Sequence, residues 1–338
     1  MKQSTLLPPQ VQRKSIVDNL AQALREIAQA ASESVAKPQR ILLVTLGTII
    51  VFTNLTFSEP RKAADLVGRG LSAPLWSQDD RFMAYTTADL NELYVVELNE
   101  VKAKQSLYRV SNLDGVGRRF AFQPGEDRIA FRTMVGAITS HPERIFSSSI
   151  YSHDPKMLTS NTGPIHGPYR IENKLFYRSS LDQPLISVDG QPWSKIVNLL
   201  DGSLSISDST QTVRYVSPTE EKVEGFEISP DGQWVAAVVK TSTERQVQLI
   251  QISTGAVTNL GKGRWPGWSG DGNRVVVIRD KPEVRFAELL VYDIKLGQTR
   301  SVVGLTNFWP DEPALNSNGT KVAFIHEGEI YLTEVTGF

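Results

Sequence analysis

The feature that most limits what this chain can fold into is a turn-plus-strand unit that recurs along its length. FEISPDGQWVAAVV (Phe226–Val239) is matched by PGWSGDGNRVVVI (Pro266–Ile278) and by PALNSNGTKVAFI (Pro313–Ile325). Two earlier segments fit less closely, PLWSQDDRFMAY (Pro74–Tyr85) and FAFQPGEDRIAF (Phe120–Phe131), and a sixth, GPYRIENKLFY (Gly167–Tyr177), is the weakest. With Gly232, Gly272 and Gly319 as anchors, the equivalent residues are Asp80, Glu126 and Asn173. The intervals from Asp80 onward are 46, 47, 59, 40 and 47 residues. Recurrence at spacings of this size is the mark of a repeat architecture.

Each copy reads as strand, turn, strand. In Ser-Pro-Asp-Gly, proline presets the backbone angle at the turn's second position, and glycine accepts the positive φ where the chain reverses. Asp231-Gly232 and Asp271-Gly272 are therefore turn-formers and not ligands. Four places past the anchor stands Ala or Val in five copies, a slim residue suited to packing between neighbouring sheets. Further strands follow, such as Gln246–Ser253 and Ala287–Ile294, with weaker fourth strands such as Ala256–Gly261. Four antiparallel strands in about 45 residues make one propeller blade.

The expected fold class is therefore all-β: a six-bladed β-propeller over residues 72–338, one blade per copy, with a seven-bladed ring and an open solenoid as the alternatives. The long interval from Asn173 to Gly232 is expected to hold one blade plus an extra hairpin at Ser203–Pro218. The last copy supplies three strands, ending at Glu329–Val335. The segment 58–71 is read as a linker, with Ala64–Leu71 as donor of the strand that closes the ring.

These units resemble the WD40-like repeats of TolB-type six-bladed β-propellers, from about Ser72 to Val335. The resemblance implies a protein-interaction role, with a peptide or partner domain engaging one end of the central channel. Counting back four and five residues from the turn serines and their equivalents in the other copies gives the candidate rim of that channel. It comprises Arg118, Arg119, His166, Glu224, Arg264, Trp265, Asp311 and Glu312, joined by Ile165, Gly225 and, in the first blade, Ser72 and Ala73. Charges of both signs with Trp and His suit a peptide-binding rim, because Trp and Arg anchor many interfaces.

The first sixty residues are a different object. Ile41–Phe57 reads ILLVTLGTIIVFTNLTF, free of charge over a length of roughly 25 Å as a helix, against about 30 Å of bilayer core. Arg40 and Lys62 flank it and can snorkel. Some forty residues precede it and no small-x-small cleavage pattern follows, so the reading is a signal anchor spanning 41–57 and not a cleaved leader. Lys2, Arg13, Lys14, Arg25, Lys37 and Arg40 precede the run, against Arg61, Lys62 and Arg69 after it. This bias places residues 1–40 in the cytoplasm and the propeller in the periplasm or outside the cell, on a single-pass inner-membrane protein. Within the arm, Ile16, Leu20, Leu24, Ile27, Ala31 and Val35 form one stripe of a helix, which suits a membrane surface or a cytoplasmic helix partner.

Composition narrows the chemistry. The 338-residue chain carries 36 basic and 37 acidic residues, which gives no reason to expect a nucleic-acid partner. It has no cysteine, which excludes thiol catalysis and thiolate-bound zinc, and its four histidines lack metal-ligand spacing. No G-x-S-x-G nucleophile elbow is present. Glu224, Asp311 and Glu312 invite a metal-dependent hydrolase or lactonase reading, but carboxylates in loops that lead into strands are ordinary. The expectations are no enzyme, no cofactor, no metal and no catalytic residue. The function expected is a membrane-anchored extracytoplasmic scaffold in a cell-envelope complex, or alternatively a transmembrane sensor signalling through residues 10–37.

Overall fold

In the computed structural model the described residues are 60–63, 66, 70–98, 106–111, 115–134, 143–159, 163–210, 212–281, 286–302, 305 and 307–337. The arm expected at 1–40 and the apolar run at 41–57 lie outside them. Among the described residues no helix is long and apolar enough to cross a membrane.

The described chain is strand and turn throughout. It begins with β1 (Arg61–Lys62). A first sheet follows, of β2 (Leu71–Trp76), β3 (Phe82–Thr87), β4 (Leu93–Glu97) and β5 (Ser106–Ser111). The second holds β6 (Phe120–Phe122), β7 (Arg128–Met134), β8 (Glu143–Ser149) and β9 (Lys156–Met157). The third is β10 (His166–Ile171), β11 (Lys174–Arg178) and β12 (Ile186–Ser187); the fourth is β13 (Lys195–Leu200), β14 (Ser203–Asp208) and β15 (Val213–Val216). The fifth comprises β16 (Lys222–Ile228), β17 (Trp234–Lys240), β18 (Arg245–Gln251) and β19 (Val257–Lys262). The sixth is β20 (Arg264–Trp268), β21 (Arg274–Lys281), β22 (Phe286–Asp293) and β23 (Gln298–Ser301). β24 (Asp311–Leu315), β25 (Lys321–His326) and β26 (Glu329–Glu334) make the seventh, and β1 completes it in the order β1-β26-β25-β24.

The repeat turn folds as its residues dictate. The Ser229 amide donates to the Trp234 carbonyl at 2.9 Å, and the Gly232 amide closes the reversal on Ser229 at 2.8 Å with φ of 66°. Ser229 Oγ donates to Asp231 at 2.5 Å and accepts from the Trp234 amide at 2.9 Å. The second strand of a blade is covered on both faces. Ala84, Ala130, Ala236, Val276 and Ala323, the slim residues four places past the anchor, are all 0% exposed.

Apolar clusters join the sheets in a ring. Ala84 packs with Phe120, Phe122 and Phe131 between the first two sheets. Ala130 meets Leu175 and Tyr177 of the third. Tyr169, Leu204 and Ile228 share one cluster across the third, fourth and fifth. Ala236 packs with Val275 and Leu290, and Val276 with Leu315 and Phe324. Finally Ala323 and Ile330 return to Trp76, Met83 and Tyr85 of the first. The chain is a β-propeller.

Two expectations are corrected. The propeller has seven blades rather than six, because the interval from Asn173 to Gly232 holds the last two strands of one three-stranded sheet, β10-β11-β12, and the whole of a second, β13-β14-β15. The hairpin expected at Ser203–Pro218 does not stand alone. It pairs with β13 through a tight Asp201-Gly202 reversal, with φ of 50° and 85°. The ring-closing strand is Arg61–Lys62, inside the 58–71 segment expected to supply it but ahead of the Ala64–Leu71 stretch singled out, whose last residue belongs to β2. Arg61 pairs with Leu332 and Lys62 with Tyr331, Ala63 donates to Ile330 at 2.8 Å, and Lys62 meets Glu329 at 3.1 Å.

The first and seventh blades are also clasped at their turns. Asp80 accepts hydrogen bonds from Asn316 Nδ2, the Ser317 amide and Ser317 Oγ at 2.9, 2.7 and 2.8 Å. Asn tolerates the φ of 59° at this position. Asp80→Asn is therefore expected to remove only the charge and one acceptor site, lowering stability by about 1–2 kcal/mol in urea unfolding of the full chain. An unchanged midpoint and slope would show that the clasp contributes nothing.

Candidate functional site

The inner strands run from one end of a central channel, here the mouth, to the repeat turns at the other. The cavity between them measures about 440 Å³ and is lined by residues of β2, β10, β16, β20 and β24, and of β6 with the two arginines before it. β13 contributes no lining residue, so six of the seven blades present a strand to the channel.

A repeated backbone device decides which rim residues face inward. The ladders break between Ser72 and Leu75, between Arg264 and Gly267, and between Asp311 and Ala314. Within each break one non-glycine residue takes a left-handed conformation: Ala73, Trp265 and Glu312, with φ of 53°, 51° and 45°. Such residues cost of order 1–3 kcal/mol and persist where the surroundings over-determine them. A bulge adds one residue and re-aims the chain. Trp265 and Glu312 accordingly line the channel. Their predecessors Arg264 and Asp311 do not; they pair with each other at 2.8 Å, and Arg264 also meets Asp280 at 3.1 Å.

Of the eight expected rim residues, the structure brings four to the channel: Arg118, Arg119, Trp265 and Glu312. Glu224 is instead paired with Arg245 at 2.5 Å, and that bond lowers its pKa. His166 begins β10 opposite Arg178, half-buried. Burial first, then the charges of Arg178 and Arg132, depress its pKa. The carboxylates Glu224, Asp311 and Glu312 each face a different arginine. Among the described residues no group of three or more acids or histidines could hold a metal.

The lining charges reach across the lumen. Arg118, from the second blade, meets Glu312 of the seventh at 2.7 Å and lies 5.9 Å from the Trp265 ring of the sixth. Glu312 is fixed further by Ser72 Oγ at 2.7 Å and the Ala73 amide at 2.6 Å. Arg119 makes a forked pair with Glu227 at 2.7 and 3.1 Å and stacks 4.8 Å from the Tyr169 ring. Burial works against the Arg119 charge, but Glu227 and then Tyr169 hold its pKa above the usual guanidinium range. At the mouth Trp265 is 42% exposed, and Trp309, two residues ahead of β24, is 45% exposed.

Sequence reasoning missed Tyr169, Arg170 and Glu227, which also line the channel. It missed Arg178 as well, which is 1% exposed behind Tyr169 and donates through Nη1 to the carbonyls of Val197 and Leu181 at 2.7 and 3.1 Å. Its Nε and Nη2 are buried without an acceptor among the described residues, against the faces of Tyr169 and Phe226. Glu227 sits two places past the rim register, and Arg170 holds the turn-serine position itself; that replacement was the visible signal.

No protein-family model matches the chain, and no curated protein matches its sequence. Solved structures do. A chain of the mitotic checkpoint complex is 11% identical, with a TM-score of 0.57, over 83% of this chain and 96% of that one. TolB from Acinetobacter baumannii is 14% identical with a TM-score of 0.42 over 79% of this chain, which spans 55% of that protein's length. An oligogalacturonate lyase from Vibrio parahaemolyticus is 15% identical with a TM-score of 0.43, over 78% of this chain and 77% of that one. These likenesses concern the fold alone. The expectation of no enzyme is corrected: an enzyme is among the solved structures similar to this chain, and a fold by itself gives no ground for excluding catalysis.

The forked Arg119–Glu227 pair bridges blades that are not neighbours. A double-mutant cycle of Arg119→Ala and Glu227→Ala is expected to give a coupling of about 1 kcal/mol in stability, the pair being partly exposed. Coupling indistinguishable from zero would mean that solvent has replaced the bond.

Proposed function

We propose that this protein is a membrane-anchored, extracytoplasmic propeller that binds a protein or peptide partner at the mouth of its channel, as a scaffold in a cell-envelope complex. The observation that carries the reading is Trp265. A large aromatic residue stands exposed at the mouth in a left-handed backbone conformation, with the Arg118 guanidinium near its ring and Glu312 fixing that arginine. An anchored Trp beside an Arg is the composition of an interface hot spot, and a pre-set conformation reduces the ordering cost of binding. Support for the anchor comes from the uncharged Ile41–Phe57 run, and for orientation from the basic residues ahead of it.

The test is a crosslinking pull-down of the full-length protein from its native membrane. Trp265→Ala is expected to reduce capture of its principal partner about tenfold, the effect of a loss of about 1.4 kcal/mol. Glu224→Ala, at an exposed pair off the channel, should leave capture unchanged. Equal capture by wild type and Trp265→Ala would remove the mouth as the binding site. A reporter fused after Phe338 is expected to be active only outside the cytoplasm, and cytoplasmic activity would reverse the topology. The amphipathic stripe from Ile16 to Val35 favours a second reading, in which the arm passes the signal to a cytoplasmic partner. Deleting residues 10–37 without loss of response would end that version.

A further inference from the structure

We propose that the turn end of the channel, opposite the mouth, is a binding site for a single carboxylate group, held by the guanidinium of Arg170. The strand register shows how the position arises. Tyr169 pairs with Phe176 as Ile228 pairs with Val235, which puts Arg170 where Ser229 stands in the fifth blade and Ser77 and Ser269 stand in the first and sixth. Those serines accept a backbone amide and close their own turns. In the third blade the reversal is made in two residues, Glu172 and Asn173, with φ of 49° and 59°, and the ladder continues through Ile171 and Lys174. The turn needs no serine, and the vacated place carries a long cation.

Arg170 lines the cavity and is half-buried. Its one hydrogen bond to a described residue runs from Nη2 to the Gly270 carbonyl at 3.3 Å. No carboxylate among the described residues pairs with it, whereas Arg118 and Arg119 are held by Glu312 and Glu227. The acids of the surrounding turns are engaged elsewhere. Asp80 accepts from Asn316 and Ser317, Asp231 from Ser229, Asp271 from Ser269, and Glu172 meets Lys195. Burial alone lowers the proton affinity of Arg170; a guanidinium nonetheless stays charged, with five donors in a fixed fork. A partly desolvated cation without a counter-charge among the described residues is the arrangement that an incoming anion relieves.

The charge of the lining selects the class. Arg118, Arg119 and Arg170 stand against Glu227 and Glu312, three positive groups against two negative, which leaves a single positive charge. One monoanion balances it, and a planar carboxylate matches the fork of one guanidinium. A phosphate dianion would overfill the site. A peptide C-terminus and a small organic acid share this chemistry.

The experiment uses the full-length protein at low ionic strength and titrates N-acetyl-pentaalanine, which carries one carboxylate, against its C-terminal amide. The acid is expected to bind wild type at least tenfold more tightly than the amide. Arg170→Gln should abolish that difference, and Arg170→Lys should keep part of it. Equal binding of acid and amide to wild type, no binding of either, or an acid preference that survives in Arg170→Gln would each overturn the proposal. The comparison on wild type needs no variant to fold. Trp265→Ala should leave the acid preference intact; if it alone removed the preference, the anion would belong to the mouth and the turn-end site would be wrong. Competition by acetate would show that a small organic acid suffices, and its absence would assign the site to a peptide terminus. Displacement by inorganic phosphate at lower concentration than by acetate would overturn the carboxylate class.

Discussion

Everything in this propeller depends on the junction where the ring closes. A repeat of sheets buries its apolar faces only against neighbours, and the first and last copies have none unless they find each other. Here they meet at three levels. At the periphery, Arg61 and Lys62 supply the fourth strand of the last blade. In the core, Ala323 and Ile330 pack on Met83 and Tyr85. Along the channel, Glu312 accepts from Ser72 and Ala73, the Trp76 indole donates to the Ala314 carbonyl at 3.1 Å, and Asp80 holds Asn316 and Ser317. The same residues that close the ring thus shape both ends of the lumen.

That coupling explains the arrangement of charge. Glu312 is fixed by the seam before it ever meets Arg118, so the arginine is positioned by the closure of the fold. Arg118 in turn lies near Trp265, from a third blade. The mouth is therefore a chain of contacts across the lumen whose geometry is set by the blades together. No single blade could hold it.

The repeat made the architecture legible because its turn chemistry is local: Ser229, Asp231 and Gly232 close a reversal that depends on little outside itself. The fourth blade escaped for the complementary reason. Its first hairpin turns on Asp201-Gly202 in two residues, and its inner strand lines no channel, so neither the serine turn nor the rim register is required of it. KIVNLLDGSLSISD did carry a hairpin signal, Asp-Gly between apolar runs, but not this repeat. The rim was half legible. Counting back from the turns found Arg118, Arg119, Trp265 and Glu312. It could not separate them from Arg264 and Asp311, because a bulge decides which of two adjacent side chains faces inward, and that depends on the ladder. Glu227, Tyr169 and Arg170 lie nearer the turns than the register that was counted.

A repeat protein states its fold where its copies agree and its function where one copy departs. Agreement at the slim residue, from Ala84 to Ala323, is a packing requirement and distinguishes no propeller from another. Departure is costly, because an altered copy must still close its turn and bury its faces. The third blade departs twice, replacing the serine by Arg170 and tightening the reversal to Glu172-Asn173, and the second change is what makes the first sterically and chemically tolerable. Two linked departures that leave a half-buried guanidinium without a counter-charge among the described residues are not needed to build a blade, since Ser229 and Ser269 build theirs more simply. The asymmetry of the lumen follows: the mouth is ringed by paired charges around an exposed Trp265, and the turn end holds the cation that the fold itself does not use.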